Sequence, residues 1–187
     1  MYLSDAELKM INDAVLPDSL ARYRDLFLIA AYTGLRYSDL SNLDNFHIRP
    51  PYVKIRTQKT GERVVIPIHP VLKQVLERNN YEIPPVPSNQ KFNEYIKDVC
   101  EIAEIKEICF LGKTIGGKYV QDKYPKYKLV SAHTARRSFA TNMYLAGVPS
   151  ISIMKITGHH SEKSFLKYIR ISQEDNAQKL LDHPYFK

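Results

Sequence analysis

Between residues 46 and 68 the hydrophobic period of the chain changes, and this change limits the fold more than any other feature. The segment "HIRPPYVKIRTQKTGERVVIPIH" holds two β-rich runs, Tyr52–Arg56 and Val64–Ile68, on either side of the turn-prone "QKTGE". The pattern predicts an antiparallel hairpin, with Phe46–Ile48 as a candidate third strand.

Almost everything around it has helical spacing. "LSDAELKMINDAV" opens a helix, because Ser4 stands three residues before Glu7, the spacing of a capping box. Residues 19–33 form an apolar-rich helix (Leu20, Tyr23, Leu26, Phe27, Ala30, Ala31) that ends at Gly34, and "LRYSDLSNL" adds a short one. Helix returns at 70–78 and 89–104, separated by the proline-rich "NNYEIPPVPSN". Residues 105–130 are basic and rich in Gly and Tyr, and read as either a hairpin or a long loop. Helices at 133–145, 149–156, 161–170 and 173–181 complete the chain. The expected class is mainly α with a small antiparallel β-sheet (α+β), as one domain over residues 1–187.

At 187 residues and 44% hydrophobic, the chain can bury one good core. No run approaches the ~20 apolar residues of a membrane span, and "MYLSDAELKMI" lacks the apolar centre of a secretory signal. Cys100 and Cys109 fit neither a zinc nor a disulfide pattern, so the expected compartment is a reducing cytoplasm. The formal charge of +7 suits a surface that neutralises several phosphates, without requiring one.

Four polar groupings can carry chemistry, and each has a plain reading beside it. Arg36 follows a glycine at a helix junction, with Asp39 at i+3: a surface ion pair, or a steadied fork for a phosphate. Lys59 at the hairpin tip is either a solubility residue or a mobile proton donor. His133 and Arg136, three apart at a helix start, are either polar decoration or the walls of an anion site. Tyr168 lies beside the apolar stripe of Phe165, Leu166 and Ile169, where a packing tyrosine is the ordinary expectation. A metal site built from His159, His160 and His183 is disfavoured, because adjacent histidines diverge and no carboxylate is suitably spaced.

The order and spacing of these residues say more than any one of them. "TGLRYSDL", Lys59 on a hairpin, "HTARRSFATNMYLAGV" and "TGHHSEKSFLKYI" resemble the boxes of the tyrosine recombinase catalytic domain, in the phage integrase family, over nearly the whole chain. Their style is similar to that of integrases from Bacteroides-type mobile elements. The resemblance implies that Arg36 and Arg136 clamp a phosphate, with Asp39 supporting Arg36. His133 stands at the His-x-x-Arg position, His159 at that of a later phosphate donor, Lys59 at that of the hairpin acid, and Tyr168 at that of the nucleophile. His160 matches no catalytic position.

Such a site would cleave and rejoin DNA through a 3′-phosphotyrosyl intermediate, with no cofactor and no metal. Attack on a phosphodiester builds charge on its non-bridging oxygens, where two arginines and a histidine are stabilising. A phenol of pKa ~10 is only about one part in a thousand phenolate at pH 7. A base such as His133 and nearby cations lower that barrier of roughly 4 kcal/mol. The resemblance also implies double-stranded DNA as partner, assembly into dimers or tetramers on it, accessory DNA-bending proteins, and a bacterial, nucleoid-associated location. It implies an N-terminal core-binding domain absent from this chain, and a C-terminal helix or tail at 173–187 docking on a neighbour or on its own domain. A non-catalytic DNA-binding module on the same fold is the alternative.

Overall fold

The computed structural model describes residues 1–116, 118–171, 173–181 and 184–186. Helix α1 (Asp5–Asp13) begins where the sequence marks it: Glu7 N–H donates to Ser4 Oγ at 3.3 Å and Ser4 N–H to Glu7 Oε2 at 2.8 Å. Helix α2 (Asp18–Thr33) is buried continuously from Asp25 to Thr33, so it is the axis of the core rather than a surface helix. Gly34 ends it in the left-handed conformation at φ 67°, and the short helix α3 (Tyr37–Leu40) follows.

Strands β1 (Ile48–Arg49), β2 (Tyr52–Arg56) and β3 (Arg63–Pro67) form an antiparallel sheet in sequence order. Val53, Ile55, Val64 and Ile66 face the core, as period-two alternation requires. The expected third strand is real but shifted: residues 45–47 form a 3₁₀ turn, because Asp44 caps Phe46 N–H at 2.9 Å, and only Ile48 and Arg49 pair. Between β2 and β3, Gly61 N–H donates to Thr57 O and Thr57 N–H to Glu62 O, both at 2.9 Å. This closes a turn with Lys59 at its tip.

Helices α4 (Pro70–Arg78) and α5 (Asn89–Ile102) pack on α2. The segment after them is a hairpin rather than a loop, β4 (Ile108–Ile115) with β5 (Lys118–Pro125), separate from the first sheet. Then come α6 (Ala132–Leu145), α7 (Ser150–Thr157), α8 (Glu162–Leu166) and α9 (Gln173–Leu181). The helix expected over 161–170 is thus half as long. The hydroxyl of Thr141 in α6 takes over the backbone beyond it, donating to Tyr168 O at 3.3 Å and accepting from Arg170 N–H at 3.2 Å. Tyr168 therefore sits in a turn after α8, not within a helical stripe.

The main core gathers α1, α2, the first sheet, α4 and α5. A second cluster of Phe139, Ala140, Ile153 and Phe165 joins α6, α7 and α8, and Tyr168 packs on its edge. Both cysteines are free thiols, and burial raises that of Cys100 far above its usual range. Among the described residues no helix is long and apolar enough to cross a membrane.

Candidate active site

Gly34 is where the two clusters meet. A Cβ there would lie 2.4 Å from Phe139 Cδ1, so only glycine lets α6 approach α2 this closely. Its carbonyl, freed by the left-handed turn, accepts from Arg136 Nη1 at 2.6 Å. Arg136 Nη2 donates to the carbonyl of Thr157 at the end of α7. A guanidinium that is 2% exposed is thereby fixed between two helix C-termini, whose partial negative charge suits it. Burial first, and then the neighbouring Arg36, lower its pKa to about 10, against the opposing pull of Tyr168 and Asp39.

Arg36, two residues after Gly34, stands at the N-cap position of α3 without a side-chain capping bond. Its Nη1 lies 3.9 Å from Asp39 Oδ2 and, among the described residues, makes no hydrogen bond. Asp39, fully buried, accepts the Gln58 N–H at 2.8 Å through its other oxygen. One carboxylate thus holds both the first arginine and the turn that carries Lys59.

His133 lies in the first turn of α6, with its ring 5.1 Å from that of Tyr168. Burial, then Arg137, Arg136, Arg170 and Arg36, lower its pKa from the ordinary histidine value. His159 follows Gly158, which ends α7 at φ 62° with its backbone beside Thr60, Glu62 and Arg36. Its Nδ1 is 2.7 Å from Thr157 Oγ1 and its ring is 4.6 Å from that of Tyr168. Burial, then Arg136 and Arg36, depress its pKa to about 4.

Arg36, Lys59, His133, Arg136 and Tyr168 line one cleft of about 490 Å³, with His159 against the Tyr168 ring. Residues separated by up to 132 positions in sequence are brought together. The Arg136 guanidinium carbon stands 5.4 Å from the centre of the Tyr168 ring. Arg36 Nη1, Arg136 Nε and His159 Nε2 are buried polar atoms without partners among the described residues. Such a concentration of unmet polar capacity in a cationic cleft suits an anion. His160 is exposed beside Glu62, at 3.7 Å, and does not line the cleft. Among the described residues no group of three or more His, Cys, Asp or Glu gathers as a metal site; His183 lies outside them.

The sequence did not point to Thr157, nor to Asn93, whose Oδ1 accepts the Ala132 N–H at 2.7 Å and steadies the start of α6. Asn89, Tyr37, Ser38 and Ser131 also line the cleft without a sequence signal. For Thr157 a signal exists: a threonine in the last turn of a helix, two residues before a histidine.

The phage integrase family profile matches residues 1–175. The tyrosine recombinase XerA of Pyrococcus furiosus is 29% identical over 178 residues, covering 91% of this chain and 57% of its own length. The chain therefore spans little more than half of that relative. Among solved structures, a XerA recombinase superposes with a TM-score of 0.71 at 19% identity, over 98% of this chain and 63% of the other. A XerH site-specific recombinase, bound to a palindromic difH substrate in a post-cleavage complex, gives 0.66 at 15%, over 97% and 52%. At these identities the structures establish a shared fold.

Proposed function

The chain belongs to the phage integrase family, and from that premise we propose that it is the catalytic domain of a site-specific DNA recombinase. The observation that carries this reading is the cleft itself, where two arginines, two histidines and a hairpin lysine surround Tyr168. In this reading a phosphodiester of double-stranded DNA sits against Arg36 Nη1 and Arg136 Nε, two cleft guanidinium donors without partners among the described residues. The Tyr168 oxygen attacks phosphorus, His133 takes the phenolic proton, and the 3′-phosphotyrosyl bond forms as the 5′-oxygen leaves with a proton from Lys59.

Geometry supports the roles of Arg136 and Lys59. Arg136 is rigid because both terminal nitrogens are already bonded to carbonyls, so little reorganisation is needed as charge develops. Lys59, by contrast, is exposed at the tip of a turn that Asp39 fastens at its base through Gln58 N–H, which suits a proton donor that must reach the leaving oxygen. The covalent intermediate retains the phosphodiester's energy, so rejoining calls on no cofactor.

We further propose that the natural protein has a second DNA-clamping domain, that it works as dimers or tetramers on DNA, with accessory DNA-bending proteins, at the bacterial nucleoid, and that it serves a mobile element. The last point rests on the style of the sequence boxes. Incubation with nicked duplexes carrying candidate target sites should yield a protein–DNA adduct stable to denaturant, insensitive to EDTA, and absent from Tyr168→Phe. Mobility shifts without any adduct would instead identify a non-catalytic DNA-binding module.

A further inference from the structure

A hydroxyl has one proton to give, and Thr157 has two close neighbours that compete for it, the Ile153 carbonyl and His159 Nδ1, with the Met154 carbonyl farther off at 3.4 Å. Thr157 Oγ1 is 2.8 Å from the carbonyl oxygen of Ile153, one turn back along α7, and 2.7 Å from His159 Nδ1. A carbonyl oxygen carries no proton, so the hydrogen between those two oxygens comes from Thr157. The hydrogen in the second contact must then come from the ring: Nδ1–H donates and Thr157 Oγ1 accepts. Thr157 is 1% exposed, so solvent does not compete for its hydroxyl. A neutral imidazole has a single N–H, and the partnerless, buried Nε2 therefore carries a lone pair.

We infer that Thr157 is a positioning residue that fixes His159 as the Nδ1–H tautomer, so that a phosphodiester entering the cleft draws a proton onto His159 Nε2. The inference rests on the reading of the cleft as a phosphodiester site and adds a condition to it. His159 begins as a proton acceptor and becomes a phosphate donor only once protonated.

The surroundings explain both states. Arg136 faces the ring from α6, Arg36 from the start of α3, Tyr168 from the turn after α8 and His160 from its own loop, with Glu62 on β3 side of the Lys59 turn near Gly158. In the empty cleft burial and the cations keep the ring neutral. A phosphodiester monoanion offsets the arginines and offers Nε2 an oxygen that can only accept. Solvent supplies the proton: neutral imidazole plus H⁺ gives imidazolium, whose Nε2–H donates to a non-bridging oxygen. A group whose pKa rises on binding takes up a proton, so affinity increases as pH falls from above the bound-state pKa toward the free-state value of about 4.

Dimethyl phosphate, a diester monoanion throughout the working range, is a suitable probe. Two-bond nitrogen–proton NMR correlations of the free protein at about pH 7.5 should show His159 with Nδ1 protonated and Nε2 bare. Adding the probe at about pH 6 should move Nε2 to its protonated position. The half-saturating probe concentration should fall several-fold between about pH 8 and about pH 5.5, a dependence that His159→Gln reduces to the share carried by His133, which lines the same cleft. Thr157→Val, which leaves the tautomer unfixed, should flatten the dependence, and Thr157→Ser should restore it. An Nε2–H ring in the free protein, or probe affinity that does not respond to pH, overturns the inference. If Thr157→Val fails to fold, the wild-type tautomer and the serine variant decide the matter. A protein that forms the DNA adduct yet shows Nε2–H loses only this inference, whereas the Nδ1–H tautomer without adduct counts against the recombinase reading.

Discussion

Arg36 and Arg136 share a cleft but are held differently, and their variants should fail differently. Among the described residues Arg36 is tied by a single ion pair, to Asp39 at 3.9 Å. Arg36→Ala should slow single-turnover strand cleavage by about 10²–10³-fold, the usual effect of losing one preorganised donor, with little change in melting temperature. Arg136 also joins Gly34 and Thr157 through their carbonyls. Arg136→Ala should lose cleavage and, in a thermal melt, stability as well, at about 1–3 kcal/mol for each buried acceptor left unmet. Equal melting temperatures for the two variants would show that the buried contacts add nothing. At this scale the sequence was legible only collectively. The apolar neighbours Phe165 and Ile169 make Tyr168 look like a packing residue, and it does pack on the second cluster. Its significance comes from His133, Arg136 and His159, which no local pattern links to it.

Elements position these residues, and Gly34 and Asp39 are their two fasteners. Gly34→Ala puts a Cβ 2.4 Å from the Phe139 ring at φ +67°, so overpacking and backbone strain combine. The loss should be about 2–4 kcal/mol in urea denaturation, and a change under about 0.5 kcal/mol would contradict the account. Asp39→Ala should raise hydrogen exchange at Gln58 N–H and slow cleavage, since the lysine turn loses its anchor. Helix starts and stops were legible because their chemistry is local: the Ser4–Glu7 capping box and Gly34 stand where the sequence marks them. The end of α8 was not, because the backbone beyond it is held by Thr141, 27 residues before Tyr168 in the chain. Residues 105–130 were ambiguous for a related reason. Among the described residues their strands pair with each other and with no third strand, and their exposed apolar residues, such as Phe110 and Tyr119, give no clean inside–outside alternation.

Charge acts on the whole molecule. Unfolding returns His159 from about 4 to the ordinary value near 6.5. The unfolded chain therefore binds this proton first, and the neutral ring's contribution to stability is complete above about pH 6.5 and lost as pH falls toward about 4. His133, shifted in the same direction, adds to the effect. Urea midpoints measured across this range should fall with acidification, less steeply in His159→Gln; a wild-type midpoint that rises would contradict the assigned shifts. The net charge of +7 likewise predicts that duplex binding weakens as salt rises, linearly on logarithmic axes. The central claim concerns one oxygen among 13 tyrosines. Trapping the adduct on a nicked duplex, digesting it with nuclease and protease, and locating the nucleotide-bearing peptide by mass spectrometry tests it directly. The account predicts the nucleotide on Tyr168, in the peptide after α8, and a nucleotide on any other residue would contradict it.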